Sequence, residues 1–185
     1  MSEEKDIETT AAFYWQLFNS SKYVLLIVLL ATAIGLYVLP NIDASYVVII
    51  LLALTLSKIG FIIALSFNQL MKIIGQSHLL SHVLVLFGYL IILIVFSFAI
   101  DYTALHLIDS AHFKINNSSG SNGLLAFFNM SYFSLITFSS VGYGDIVPIT
   151  VTAKTLVVLE VALRFFVLVF GIANVNRIRV NNLKT

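Results

Sequence analysis

The chain has 185 residues, of which 59% are hydrophobic and only 10% are charged, and its formal net charge is +1. Soluble domains carry about 25% charged residues, so this composition excludes an ordinary soluble domain. The near-neutral charge gives no basis for binding nucleic acid. Cysteine is absent, which excludes disulfides and thiolate metal sites within this sequence.

Four apolar segments are predicted to be membrane-spanning helices, for which roughly 20 predominantly apolar residues are needed. In chain order they are 23–39, 46–67, 79–100 and 151–175. The first two are predicted to form a peripheral two-helix module over 23–78, after a cytoplasmic or interfacial segment at 1–22. A short cytoplasmic tail is expected at 176–185.

The stretch between the third and fourth apolar segments has parts of different character. Residues 101–123 are polar and end in NNSSGSNG, which predicts an exposed loop. Residues 124–138 suit a helix too short to span the bilayer. They lead into TFSSVGYGDIVP at 137–148, where glycines would weaken a helix or a strand. The pattern predicts a re-entrant loop, because irregular backbone at membrane depth survives only where it is buried in protein or lines water.

Lysine and arginine are distributed unevenly between the two predicted sides of the membrane. An excess of these residues marks the cytoplasmic side. One side carries Lys114 and Lys154. The other carries Lys5, Lys22, Lys72, Arg177, Arg179 and Lys184. The sequence therefore predicts a multi-pass protein of the plasma (inner) membrane with both termini in the cytoplasm.

The motif SVGYG at 140–144 suits a chain that must pass a cation through lipid. Backbone carbonyls are dipoles without net charge, so they can replace part of a cation's hydration shell without trapping the ion. Glycine at positions 142 and 144 permits the backbone conformations that aim successive carbonyls at one axis. Val141 and Tyr143 are predicted to point outward and brace the strand. One chain cannot surround an ion, so a single such segment predicts a homotetramer.

The residues around this motif, TFSSVGYGD at 137–145, resemble the potassium-channel signature T-x-x-T-V-G-Y-G-D. The block 79–175 is similar to the pore domain of prokaryotic-type potassium channels. Its outer helix, turret, pore helix, filter and inner helix correspond to 79–100, 101–123, 124–138, 140–144 and 151–175. The resemblance implies an all-α membrane protein with four transmembrane helices, one re-entrant pore helix and fourfold assembly around a central pore.

The resemblance also implies roles for particular residues. Potassium would bind in the filter as the permeant ion, and no cofactor is expected. The implied filter residues are Ser140, Val141, Gly142, Tyr143 and Gly144, and the implied supporting residues are Thr137, Ser139, Asp145 and Tyr132. The expected partners are further copies of the chain and membrane lipid, with room for an unidentified regulatory subunit.

Three positions depart from the family pattern. Ser140 replaces the usual threonine, which keeps the hydroxyl but loses the methyl group that stiffens the side chain. Ile136 stands where some bacterial channels have a glutamate, so no carboxylate pair with Asp145 is expected. Arg164 stands where many bacterial relatives have the hinge glycine of the inner helix, four residues after Glu160.

Glu160 and Arg164 are four residues apart, which predicts an ion pair on one face of a helix. Two roles stay open for that pair, a structural contact or a gating latch, because ionisable residues inside a span are functional candidates. Gly171 is an alternative hinge, and Ile172 and Asn176 are candidates to line a gate.

Lys58 is the only basic residue well inside the first two apolar segments, and it is predicted either to snorkel or to pair with a polar neighbour. The predicted function is a potassium-selective channel. The alternatives are a weakly selective cation channel, which Ser140 would favour, and a subunit of a heteromeric channel. A coupled transporter is disfavoured because neither an internal repeat nor matching broken helices occur. An enzyme is not predicted, since no nucleophile–base or phosphate-binding motif is present.

Overall fold

A computed structural model of the chain describes Lys22 and residues 44–76, 80–115 and 123–181. The predicted first span, 23–39, and the predicted N-terminal segment before Lys22 lie outside the described residues. In the described part, helices cover Ala44–Gln76, Leu80–Ile108, Gly123–Phe138 and Val151–Asn181. We call these helices α1, α2, α3 and α4. The protein is therefore mostly helical, as predicted.

Two of the helices are long and apolar enough to cross a membrane. Their candidate spans are Val48–Asn68 in α1 and Leu84–Ile108 in α2. They overlap the second and third predicted spans, 46–67 and 79–100, which is consistent with a membrane protein. The fourth predicted span lies inside α4, whose 31 residues would extend about 46 Å at 1.5 Å per residue. A helix satisfies all of its own backbone groups, which is why such apolar runs become helical in lipid.

The helix α2 ends at Ile108, whereas the sequence predicted its end at Ile100. The extra turns contain Asp101 and Thr103, whose polar side chains suggested an exposed loop. Both are buried and bonded within the protein: Asp101 forms an ion pair with Lys58, and Thr103 Oγ1 donates to the Ala99 carbonyl at 2.6 Å. The predicted turret is shorter as a result, because it begins only after α2.

A short antiparallel ribbon that was not predicted from the sequence joins the two ends of the loop region. Its strands are β1, Phe113–Ile115, and β2, Ile146–Pro148. Lys114 pairs with Val147 at the centre of the ribbon. A 3₁₀ turn over Ser110–His112 connects α2 to β1. The ribbon therefore ties the segment after α2 to the segment that follows residues 139–145.

The ribbon also fixes the start of α4. His112 Nδ1 lies 2.6 Å from Thr150 Oγ1, and the His112 carbonyl accepts from Ile149 N–H at 2.9 Å. Thr150 Oγ1 in turn accepts from Ala153 N–H at 3.3 Å, in the manner of a helix N-cap. The N-terminal end of α4 is thus held by the same ribbon that closes the loop after α3.

The core lies around α2, which packs against α1, α3 and α4. Aromatic rings fill its centre. The ring centroid of Tyr102 lies 5.1 Å from that of Phe133 and 5.7 Å from that of Phe113, both in edge-on arrangements. Edge-to-face aromatic pairs contribute about 0.5–1.5 kcal/mol beyond their buried area. This cluster sets α3 firmly against α2 and so positions the loop that leaves α3.

Candidate functional site

The helix α3 ends in a turn that leads directly into the predicted filter. The helix covers Gly123–Phe138, close to the predicted 124–138. Ser140 N–H donates to the Thr137 carbonyl at 3.1 Å, and Val141 N–H donates to the Ile136 carbonyl at 2.9 Å. These two bonds, together with a φ of 58° at Ser140, define a Schellman motif. Glycine is usual at the position that Ser140 occupies, so serine is an unexpected residue there.

The backbone of residues 140–144 alternates in handedness. The φ angles of Ser140, Gly142 and Gly144 are 58°, 58° and 77°, while Val141 and Tyr143 are not in the positive-φ region. Both glycines therefore adopt the positive φ angles that residues with a side chain rarely adopt. A Cβ atom added at either glycine would meet nothing within 4 Å, so the requirement for glycine comes from the backbone and not from crowding.

Side chains at this segment lie on the surface of the chain. Residues 139–144 are exposed, with 48% of Val141 and 71% of Tyr143 accessible. Large apolar side chains exposed in a cluster mark a surface that contacts another molecule.

The predicted supporting residues make contacts on either side of the segment. Tyr132 on α3 lies close to Asp145, the residue after Gly144. Asp145 Oδ1 is buried and has no partner among the described residues. Ser139 Oγ donates to the Leu135 carbonyl at 2.7 Å, so this hydroxyl caps α3. The Thr137 carbonyl is used in the turn, as described above.

The predicted ion pair between Glu160 and Arg164 is not formed. Glu160 is fully buried and accepts hydrogen bonds from Tyr102 OH and Ser134 Oγ, each at 2.6 Å. Its carboxylate therefore joins α4 to α2 and α3. Two short bonds to a carboxylate outweigh a pair within one helix, which is worth only about 0.2–0.5 kcal/mol.

Arg164 instead reaches the segment 140–144. Its Nη1 donates to Ser140 Oγ, and its guanidinium carbon lies 5.1 Å from the centre of the Phe165 ring. Sequence reasoning missed this contact because a rule for neighbours within one helix cannot show a partner on another element. The signal that was available is the charge itself, which has to find a polar group inside the protein.

Buried polar side chains form a cluster between α1 and α2, and only part of this cluster was predicted from the sequence. Lys58 pairs with Asp101, and Thr55 Oγ1 donates to Asp101 Oδ2 at 2.9 Å. The sequence left two alternatives for Lys58, snorkelling or pairing with a polar neighbour, and the structure shows the pair. The identity of the neighbour was hidden, because Asp101 was placed in the exposed loop. The cluster attaches α1 to α2.

The predicted gate residues Gly171, Ile172 and Asn176 lie in the last third of α4, which continues without a break to Asn181. Their side chains are outside the described part. Among the residues that the structure describes, no group of His, Asp and Glu side chains could hold a metal ion.

One comparison with known proteins assigns a class to this arrangement. Residues 90–180, just under half of the chain, match a family model described as an ion channel. The matched region runs from α2 into α4 and includes all of 139–150. Comparisons with curated proteins and with solved structures found no match. The match supports an ion channel pore family, and it points to a membrane channel rather than an enzyme.

Proposed function

We propose that the chain is a subunit of a potassium-selective channel and that residues 140–144 form its filter. The observation that carries the proposal is the alternation of positive φ at Ser140, Gly142 and Gly144 with ordinary φ between them. Such alternation turns successive peptide groups the same way, so their carbonyls can face one axis. Rings of carbonyls replace the hydration shell of potassium in channel filters.

Potassium is the proposed ion because TFSSVGYGD at 137–145 resembles the potassium-channel signature. The mechanism is passive. An ion sheds part of its water, occupies several sites in line and leaves under repulsion from the next ion. The carbonyls supply the sites, with the Ser140 hydroxyl contributing at the inner end, so the proposal needs no resident cofactor.

The surroundings of the segment favour this role. The Schellman turn holds its start, and Tyr132 lies close to Asp145 at its end. The C-terminal end of α3 adjoins the segment, and the partial negative charge at a helix C-terminus favours cations. A rigid segment beside a negative helix end is a suitable setting for cation sites.

We further propose that four copies assemble around the filter, in a plasma membrane, with four spans each and both termini cytoplasmic. Leu124, Phe128 and Leu135 share one face of α3 and are 84%, 68% and 51% exposed. The exposed Tyr143 follows in the loop. This continuous apolar edge suits contact with another copy, which would also close the ring of carbonyls.

The reversal potential in planar bilayers tests the proposal, with potassium on one side and sodium on the other. A value close to the potassium equilibrium potential is expected. A clear current that reverses near zero would contradict potassium selectivity and favour the weakly selective cation channel. Absence of current from tetrameric protein would favour a subunit of a heteromeric channel. Absence of current from a monomer would contradict the channel itself.

A substitution at Gly144 tests the role of the backbone directly. Gly144→Ala places a Cβ atom at a φ of 77°, which costs roughly 1–2 kcal/mol and favours a rearranged segment. We expect loss of potassium selectivity or of current. Gly60→Ala is the matched control, because Gly60 is an exposed glycine of α1 with no atom near an added Cβ. Equal selectivity in both variants would contradict a filter at 140–144.

A further inference from the structure

We propose that Arg164 is a tethered blocker whose guanidinium group occupies the inner end of the filter and must move away before ions pass. The inference rests on the proposed function, because a block matters only if residues 140–144 conduct cations. Its basis is the hydrogen bond from Arg164 Nη1 to Ser140 Oγ, at the first residue of that segment.

The position of Arg164 is determined by the residues around it. One turn earlier, Glu160 is bonded to Tyr102 and Ser134, which fixes the rotation of α4 about its axis. Arg164 lies four residues further on, about 6 Å along the helix. Its guanidinium packs over the Phe165 ring at 5.1 Å, a distance at which a cation is attracted to an aromatic face. The side chain is therefore directed at Ser140 rather than free in solvent.

The positive charge of Arg164 is not neutralised by a carboxylate. Two nearby acids are engaged elsewhere: Glu160 is bonded to hydroxyl groups, and Asp101 is paired with Lys58. Across 44–76, 80–115 and 123–181, no ion pair to Arg164 is formed. Because arginine stays protonated in proteins, a full unit of charge rests against Ser140 Oγ.

A guanidinium group in this place competes with a permeant cation. It has only hydrogen-bond donors, so it takes the oxygen lone pairs that a cation would need. It also repels a second positive charge, and this repulsion is strong in a site that excludes water. In a fourfold assembly, each copy would contribute one such group. Opening then requires Arg164 to leave Ser140, by rotation of the side chain or by movement of α4.

Potassium flux from liposomes that contain the full chain tests the block. Arg164→Gln removes the charge and shortens the side chain but keeps an N–H donor, and we expect at least a tenfold increase in flux with an unchanged reversal potential. Arg164→Lys keeps the charge, and we expect flux within about threefold of the unmodified chain. Lys154→Gln is the matched control, because it removes one positive charge from an exposed position at the start of the same helix. It should leave the flux unchanged.

Chemical rescue separates a blocker from a structural residue. In Arg164→Ala, flux is expected to rise as in Arg164→Gln, and ethylguanidinium added on the cytoplasmic side should restore inhibition. N-ethylurea, which has a similar shape without charge, should not inhibit. A residue that only supports the fold would not respond in this way.

Three results would overturn the inference. One is equal flux from the unmodified chain and both charge-removing variants. Another is loss of assembly in both variants, which would make Arg164 a structural residue. The third is inhibition by ethylguanidinium and N-ethylurea alike. By contrast, absence of flux from every variant, with tetramers present, would overturn the proposed homotetrameric channel and favour a subunit of a heteromeric one, whereas absence of flux from a monomer would overturn the channel itself.

Discussion

Ser140 occupies a backbone position that normally favours glycine. Its φ of 58° places it at the end of the Schellman turn, where a Cβ atom approaches the following carbonyl. Threonine, which stands at this position in the potassium-channel signature that the segment resembles, adds a methyl group on the same Cβ. A β-branched residue at positive φ is a genuine outlier. Serine therefore suits this turn better than threonine would, because it keeps the hydroxyl oxygen that Arg164 contacts and lacks the methyl group.

Ser140→Thr is expected to lower the free energy of unfolding by about 1 kcal/mol, the lower end of the cost of a strained residue. The measurement is thermal unfolding of the detergent-solubilised protein, where this change corresponds to roughly 2–4 °C for a chain of this size. Ser139→Thr is the control, because Ser139 is an exposed neighbour with ordinary φ. An equal effect of the two substitutions would show that the turn imposes no special demand at Ser140.

Helices in this protein are joined by a few buried polar contacts within an apolar interior. Glu160 joins α4 to α2 and α3, and the pair of Lys58 and Asp101 joins α1 to α2. Apolar side chains pack with little directional preference, whereas these bonds are satisfied in only one relative arrangement of the helices. They are therefore the contacts that fix how each helix is rotated toward its neighbours.

Tyr102→Phe is expected to lower the free energy of unfolding by about 1–3 kcal/mol, because it removes one of the two donors to the buried Glu160. The aromatic packing on Phe133 is retained. Ser134→Ala removes the other donor and should cost a similar amount. The two effects should not add in the double variant, since both donors serve one carboxylate. If the two decreases in the free energy of unfolding were additive, the two hydroxyl groups would act independently and not through Glu160.

Lys58→Met is expected to destabilise the protein by about 3–5 kcal/mol, because it leaves the buried Asp101 without its cation. The double variant Lys58→Met with Asp101→Leu should recover most of that loss, since replacing both charges removes the desolvation cost as well. Unfolding of the single and double variants gives the coupling free energy. A double variant as unstable as Lys58→Met alone would show that the ion pair is not the source of the effect.

The ends of a helix or strand could be predicted where the residues that determine them are neighbours in the sequence. The end of α3 was clear, because the polar residues and glycines that follow Phe138 stand next to it in the sequence. The end of α2 was not, because Asp101 looks like a loop residue until Lys58 on another helix is seen to pair with it. The strands β1 and β2 have three residues each, which is too short to show the alternation of apolar and polar residues that identifies a strand. The partner of Arg164 was likewise hidden, since Ser140 lies on a different element.

Within the described ranges, the residues of one copy leave an apolar edge of the molecule exposed. Leu124, Phe128 and Leu135 on α3 lie opposite the buried Met130 and Phe133, so this helix is apolar on both faces. A helix that is apolar all round is surrounded by protein or lipid on every side. Because this edge leads into the exposed residues of 140–144, contact with further copies would complete the conduction path as well as bury the edge.

The purified protein is therefore expected to have a mass of about 82 kDa by native mass spectrometry, four copies of the 20.5 kDa chain. Leu135→Ala should shift the population toward smaller species, since it truncates a side chain next to the segment that would meet at the axis. Ile92→Ala is the matched control: Ile92 is 69% exposed on α2, away from the loop, where lipid contact is expected. If both variants remain tetrameric, the contact lies elsewhere on the subunit. An unmodified chain that is a monomer or a dimer would contradict the channel proposal, because one or two carbonyl segments cannot surround an ion.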